Sequence, residues 1–169
     1  PERIIRAPSS ITSCQFSKTN PNLIACGFYD GVVAIYDVRK QDDKPIADSR
    51  EMIDKHIDTV WETRWVNHGD EKGEALISIS ADGRVVEWNI KKGLEKTDLM
   101  RMKRQANPNQ KQDEKEGIIF RQASGFSFDF PRGDNTSVYF AATEDGTIHQ
   151  CSRAYQETYL DTYFGHSGP

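Results

Sequence analysis

Three Asp-Gly pairs in one repeated frame constrain this chain more than any other feature: Asp30-Gly31, Asp82-Gly83 and Asp145-Gly146. Each follows a short apolar run, Leu23 to Gly27, Ala75 to Ser80 and Val138 to Thr143. Each precedes an alternating one, Val32 to Tyr36, Val85 to Trp88 and Thr147 to Cys151. Asp and Gly tolerate the positive φ of a tight turn, so β-branched and aromatic runs on either side predict a β-hairpin. One such pair is weak; three in the same frame specify a repeat.

The frame extends outward from the turns. Six residues after each turn aspartate stands Tyr36, Trp88 or Cys151, followed by Asp37, Asn89 or Ser152. Further strands are predicted upstream, at Ile11 to Phe16, Val60 to Trp65 and Ser124 to Phe130, and fourth strands near Ala47 to Ile53 and at Thr158 to Tyr163. The turn aspartates are 52 and 63 residues apart, beyond the roughly 40–45 of a compact four-stranded blade. The surplus falls in three charged segments, Arg39 to Pro45, Asn67 to Glu74 and Lys91 to Gly117, read as loops without strand or helical period. Loop closure entropy grows slowly with length, so such insertions cost little. Leu94, Leu99, Met100 and Met102 make the first half of the third segment the part expected to dock on a blade.

These residues resemble WD-repeat β-propellers. His56 lies 26 residues before Asp82 and 32 before Trp88, and Gly165-His166 reads as the opening of a further repeat. The resemblance implies a hydrogen-bonded set inside the middle blade: His56, Ser78 or Ser80 (with Ser80 as the choice), Asp82 and Trp88. The first unit lacks a matching histidine, and Cys151-Ser152 departs from the pattern in the third. The expected fold is all-β, about three blades of a propeller ring of seven or more. Blade units are expected at about 9–55, 56–104 and 118–163, with a charged insertion at 105–117. On this reading the chain is a segment of a longer protein. Its two outer blade faces are expected to be open and apolar.

Longer strings carry a narrower resemblance. Leu23 to Gly31, Thr59 to Trp65, Ser78 to Arg84, Thr143 to Ser152 and Tyr159 to Tyr163 are similar to axonemal dynein intermediate chains. Lys92 to Met100 and Arg121 to Gly125 are most similar to the intermediate chain of the two-headed inner-arm (f-type) dynein. The resemblance implies a non-catalytic scaffold that binds the dynein heavy chain tail beside a second intermediate chain and helps assemble and regulate the motor. Light chains would bind through regions outside this segment. It implies the axoneme of a cilium or flagellum, with a cytoplasmic stage before assembly. The alternatives are an outer-arm intermediate chain and a general WD-repeat adaptor outside cilia.

Catalysis and ligand chemistry find little support in the residues. There is no HExxH, no GxSxG and no phosphate-cradling GxxxxGK[ST], and no nucleophile, base and orienting group share a motif. The turn aspartates lack the alternating oxygen ligands of a calcium loop. No cofactor, metal, nucleic acid or membrane partner is expected. The net charge of −4 is opposite in sign to that of a dedicated nucleic-acid binder, and no apolar run approaches the roughly 18 residues of a membrane helix. The 91–117 segment runs against the acidic balance, with eight basic and five acidic residues. Such asymmetry can steer an acidic partner, although a solvated loop is the simpler reading of 105–116.

Strand parity supplies further expectations. Trp61 and Trp65 are four apart and predict one shared, buried face, as do Tyr155, Tyr159 and Tyr163. The scattered Cys14, Cys26 and Cys151 read as buried, reduced thiols. Positions beside the turns, Phe28 and Tyr29 before the first, Arg84 after the second and Glu144 before the third, are the expected partner-facing residues.

Overall fold

The computed structural model describes residues 3–67, 73–91, 93–106, 122–133 and 136–169. Twelve strands form three four-stranded sheets, and no helix occurs among the described residues. The first holds β1 (Ile11–Phe16), β2 (Leu23–Phe28), β3 (Val33–Asp37) and β4 (Ala47–Asp48). The second holds β5 (Val60–Asn67), β6 (Glu74–Ser80), β7 (Arg84–Asn89) and β8 (Glu95–Arg101). In the third are β9 (Gly125–Asp129), β10 (Val138–Thr143), β11 (Thr147–Ser152) and β12 (Asp161–Phe164). Every sheet is an antiparallel meander in chain order. The architecture is that of three propeller blades.

The Asp-Gly pairs make the turns between the second and third strands, with Gly31, Gly83 and Gly146 at φ of 81°, 75° and 76°. At Gly83 a β-carbon would also stand 2.7 Å from the Ala123 carbonyl of the next blade. Backbone conformation and close approach therefore both require glycine there.

The first and second blades bury both faces of their middle strands, so these strands read as apolar runs without a clean alternation, whereas β10 and β11 of the third alternate buried with half-buried residues. Ala25, Val33 and Ile35 of the first blade meet Val60, Trp65, Leu76, Val86 and Trp88 of the second. On the opposite face of the second, Ile77, Ile79, Val85, Leu99 and Met100 meet Phe128, Tyr139, Ala141 and Cys151 of the third. Polar ties cross both seams. Trp65 donates from its backbone N–H to Gln15 Oε1 (2.7 Å) and from its indole to the Gln15 carbonyl (3.0 Å). Glu62 accepts from Ser127 Oγ at 2.6 Å and the Phe128 N–H at 3.0 Å.

Several expectations are corrected here. The 91–117 segment is not wholly loop: Glu95–Arg101 is β8, and its Leu99 and Met100 fill the seam with the third blade. The interleaved charges hid this strand, because Lys96 and Asp98 satisfy each other along one outward edge at 2.9 Å. The expectations on residues 107–121, including most of the charged insertion, lie outside the described residues. The fourth strand of the first blade spans only Ala47–Asp48; Ser49 Oγ then accepts from the Val33 N–H at 3.0 Å and the chain enters turns. The outer face of the first blade is not open either. Cys26, Phe28, Val32, Ala34 and Tyr36 are buried there, with Ile5 and Ala7 of the preceding segment packed against them.

Trp61 and Trp65 do not share a buried face. Trp65 is 2% exposed and Trp61 39%. A bulge between Val60 and Glu62 inserts Trp61 as an extra residue and resets the parity. The same irregularity recurs at Ile11/Ser13 of β1 and at Ala142/Thr143 of β10, opposite Ser127 and Gly125 of β9. Thr12, Trp61 and Phe126 are thus equivalent positions, and the last two rings meet edge to face at 5.8 Å. The tyrosine triplet also divides: Tyr159 is half-buried while Tyr155 and Tyr163 are exposed, because β12 starts only at Asp161. Cys14 is exposed rather than buried.

Substituting Gly83→Ala should destabilise the protein by about 1–3 kcal/mol, the cost of a forced left-handed residue. Chemical denaturation of the full chain measures it, with Gly165→Ala as a comparison where φ is not positive and a β-carbon meets open space.

Candidate functional site

The densest polar cluster is built at the turn end of the second blade. His56 lies in the loop before β5, Ser78 on β6, Asp82 in the following turn and Trp88 on β7. Trp88 Nε1 donates to Ser78 Oγ at 2.8 Å, and an indole nitrogen can only donate. The serine hydrogen then goes to His56 Nε2 at 2.8 Å, which leaves Nδ1–H to donate to the Asp82 carboxylate at 3.0 Å. The four groups form one directed chain from indole to carboxylate. Asp82 also accepts from the Ile57 N–H at 3.1 Å, the Arg84 N–H at 3.0 Å and the Arg84 guanidinium at 2.9 Å. Burial works against its charge, but the His56 and Arg84 hydrogen bonds outweigh burial and hold the carboxyl well below the usual range.

The serine in this set is Ser78, where Ser80 was expected. Ser78 sits two positions deeper in β6, on the same face, within reach of the Trp88 indole. Ser80 is occupied at the strand end, accepting from the Asp82 N–H at 3.1 Å and donating to the Asp58 carbonyl at 2.9 Å.

A serine, a histidine and an aspartate in hydrogen-bonded order resemble a nucleophilic triad, a grouping that the sequence motifs do not reveal. The geometry gives it a different role. Ser78 and His56 are completely buried, and the serine oxygen is capped by the Trp88 indole, so no substrate carbonyl can reach it. The cluster fastens the loop carrying His56 to its blade.

Among the described residues, the other two blades hold no such set. Asp30 is exposed, accepts from the Val32 N–H at 3.3 Å and pairs loosely with Arg50 at 3.4 Å. Asp145 accepts from Thr143 Oγ1 at 2.5 Å and the Thr147 N–H at 3.2 Å. Ala141 and Cys151 stand where the second blade has Ser78 and Trp88. In the third blade, His149 is buried, stacks on Tyr159 at 3.9 Å and bonds Thr162 Oγ1 at 3.1 Å. Among the described residues no group of three His, Cys, Asp or Glu side chains could hold a metal.

Of the four expected partner-facing residues, Tyr29 alone is open, at 64% exposure. Phe28 is completely buried; it falls on the face of β2 that the preceding segment covers. Arg84 folds back, donating to the Asp54 carbonyl at 3.1 Å and to that of Lys55, and so pins the His56 loop. Glu144 is half-buried and paired with Arg104 at 2.7 Å, whose hydrogen bond lowers its pKa. The structure adds three residues at the same end. Ile53 and Ile57 stand in the β4–β5 loop, fully solvated and 83% exposed, and Trp61 is the second residue of β5. Apolar residues within a polar loop were the only sequence signal of the two isoleucines, whereas Trp61 was expected on a buried strand face. Together with Tyr29 they give this end an exposed apolar surface.

No protein-family model matches the chain. It is 48% identical over 179 residues to dynein axonemal intermediate chain 4 of Homo sapiens, covering 100% of this chain and 21% of that protein. It is 33% identical over 167 residues to the 78 kDa intermediate chain of the flagellar outer arm dynein of Chlamydomonas reinhardtii, covering 98% and 24%. Among solved structures, the computationally designed Ika4 protein superposes with a TM-score of 0.61 at 19% identity, over 98% of this chain and 79% of that one. The chain is therefore similar from end to end to axonemal dynein intermediate chains, and spans about a quarter of their length or less.

Replacing Asp82 with Ala should destabilise the fold by about 1–3 kcal/mol, because its buried donors lose their acceptor. Asp43→Ala, at an exposed loop position, should change stability by less than about 0.5 kcal/mol. The Asp82 contribution is present above the ordinary carboxylate pKa and is lost as pH falls. Acid titration of wild type and Asp82→Asn should therefore converge at low pH.

Proposed function

We propose that this segment is the blade region of a non-catalytic intermediate chain of an axonemal dynein, and that it holds the heavy-chain tail. The end-to-end identity of 48% with dynein axonemal intermediate chain 4 carries the reading. The sealed Ser78–His56–Asp82 cluster is in keeping with a scaffold, and hydrolysis of ATP would reside in the heavy chain. The turn end bearing Tyr29, Ile53, Ile57 and Trp61 supplies the apolar anchors for docking. Charged neighbours at its border, Arg50 and Lys55 with Asp30 and Asp54, would set register rather than affinity.

The inner arm is the favoured position. The 92–100 and 121–125 strings point to it, and identity falls to 33% with the flagellar outer-arm chain. A second intermediate chain would lie alongside, light chains would bind elsewhere on the longer protein, and the assembled complex would sit in the axoneme after a cytoplasmic stage.

Expression of the full-length protein carrying Tyr29→Asp and Ile57→Asp tests the docking surface. Recovery of heavy chain with the tagged subunit should fall at least tenfold, while the melting temperature stays within a few degrees of wild type. Undiminished recovery would move the interface elsewhere. Absence of the wild-type protein from axonemes would favour the adaptor outside cilia, and fractionation of the extracted arms separates inner from outer.

A further inference from the structure

Cys14 and Cys26 occupy directly opposed positions of β1 and β2. Opposed residues of an antiparallel pair point to the same face of the sheet, so the two thiols are neighbours. The ladder fixes which kind of pair they form. The Ser17 N–H donates to the Leu23 carbonyl at 2.9 Å, so Ser17 and Leu23 form a hydrogen-bonded pair. Counting along the register from there, Gln15 with Ala25 is hydrogen-bonded and Cys14 with Cys26 is not. The other edge of β2 agrees, since the Phe28 N–H donates toward the third strand, to Val32, and Cys26 shares its parity. Non-hydrogen-bonded pairs bring α-carbons to about 4.5 Å, at the short end of the span a disulfide can bridge.

We propose that Cys14 and Cys26 form a reversible redox pair, closing to a cross-strand disulfide when the protein meets a peroxide. The two thiols differ in access. Cys14 is exposed, whereas Cys26 is buried beneath the segment carrying Ile5 and Ala7. Burial pushes the Cys26 thiol up to about 11, with Cys14 adding to the shift, so Cys14 is the sulfur that reacts first. Its thiolate attacks one peroxide oxygen; the O–O bond breaks, and the leaving hydroxide takes a proton to become water. The product is a sulfenic acid at Cys14. Cys26 sulfur then attacks Cys14 sulfur, the S–O bond breaks, and the departing hydroxide leaves with the Cys26 proton as a second water. Two thiols are oxidised to one disulfide and one peroxide is reduced to two waters.

The short α-carbon separation makes such a bond strained and easily reduced, which suits a switch rather than a permanent staple. Its location gives it something to act on. Cys14 stands between Ser13, bonded to Thr63 Oγ1 at 2.8 Å, and Gln15, bonded to Trp65 at 2.7 Å. These are among the ties between the first and second blades. The third thiol, Cys151, is buried in the other seam and takes no part.

The test uses the native full-length chain treated with hydrogen peroxide, quenched with N-ethylmaleimide and digested for mass spectrometry. The expected product is a linked peptide joining Cys14 and Cys26 with the loss of two hydrogens, reversed by dithiothreitol. Cys14→Ser and Cys26→Ser should each abolish it, and in Cys26→Ser the Cys14 sulfenic acid should persist and react with dimedone. Because Cys14 is exposed, its variant tests the pairing even if the Cys26 variant fails to fold. Formation of the link only after unfolding in urea would overturn the proposal. So would over-oxidation of Cys14 to the sulfinic acid while Cys26 remains a free thiol.

Discussion

Everything at the turn end of the middle blade depends on one oxygen, Ser78 Oγ. It receives the Trp88 indole hydrogen and gives its own to His56, both at 2.8 Å, inside a region closed to water. An unpartnered polar group there would cost the desolvation of that group in full. His56 is thereby held with its other nitrogen toward Asp82, and Asp82 in turn gathers the Ile57 and Arg84 backbone donors. A loop of otherwise solvated residues is fixed in place by a network whose every member has a partner. The exposed isoleucines that flank His56 are therefore presented by a rigid base.

The three blades solve the same packing problem with different chemistry. The second uses the polar chain; the first has Phe28 buried where the second has Ser80, and the third has Ala141 and Cys151 where Ser78 and Trp88 would be. What the blades share is the antiparallel meander and the bulge near the start of the first strand. That bulge inserts one extra residue per blade, Thr12, Trp61 or Phe126. In the second and third blades the inserted residues are aromatic and touch each other. A repeat in this protein is thus conserved as geometry from blade to blade more strictly than as residue identity.

The cysteines illustrate how register decides chemistry. Cys14 and Cys26 are twelve positions apart in sequence, a spacing with no motif value, yet the β1–β2 hairpin sets them opposite each other. A shift of one residue would place them on opposite faces. The same dependence on register explains why the exposure of Cys14 and the burial of Cys26 could not be assigned from composition.

The sequence by itself determined the blade count and the turns, because Asp-Gly between β-branched runs is local chemistry that needs no distant partner. Through its resemblance to WD-repeat blades it also pointed to His56, Asp82 and Trp88 as members of one set. The tertiary structure decided which serine completes that set, since Ser78 and Ser80 share a face and only depth in the blade separates them. It decided that Trp61 faces outward, because a bulge breaks the period of two, and that Glu95–Arg101 is a strand, because its charges pair along an edge. Phe28 shows the limit most plainly. Its burial requires a segment some twenty residues upstream to cover it, and long-range cover of that kind leaves no trace in the local pattern.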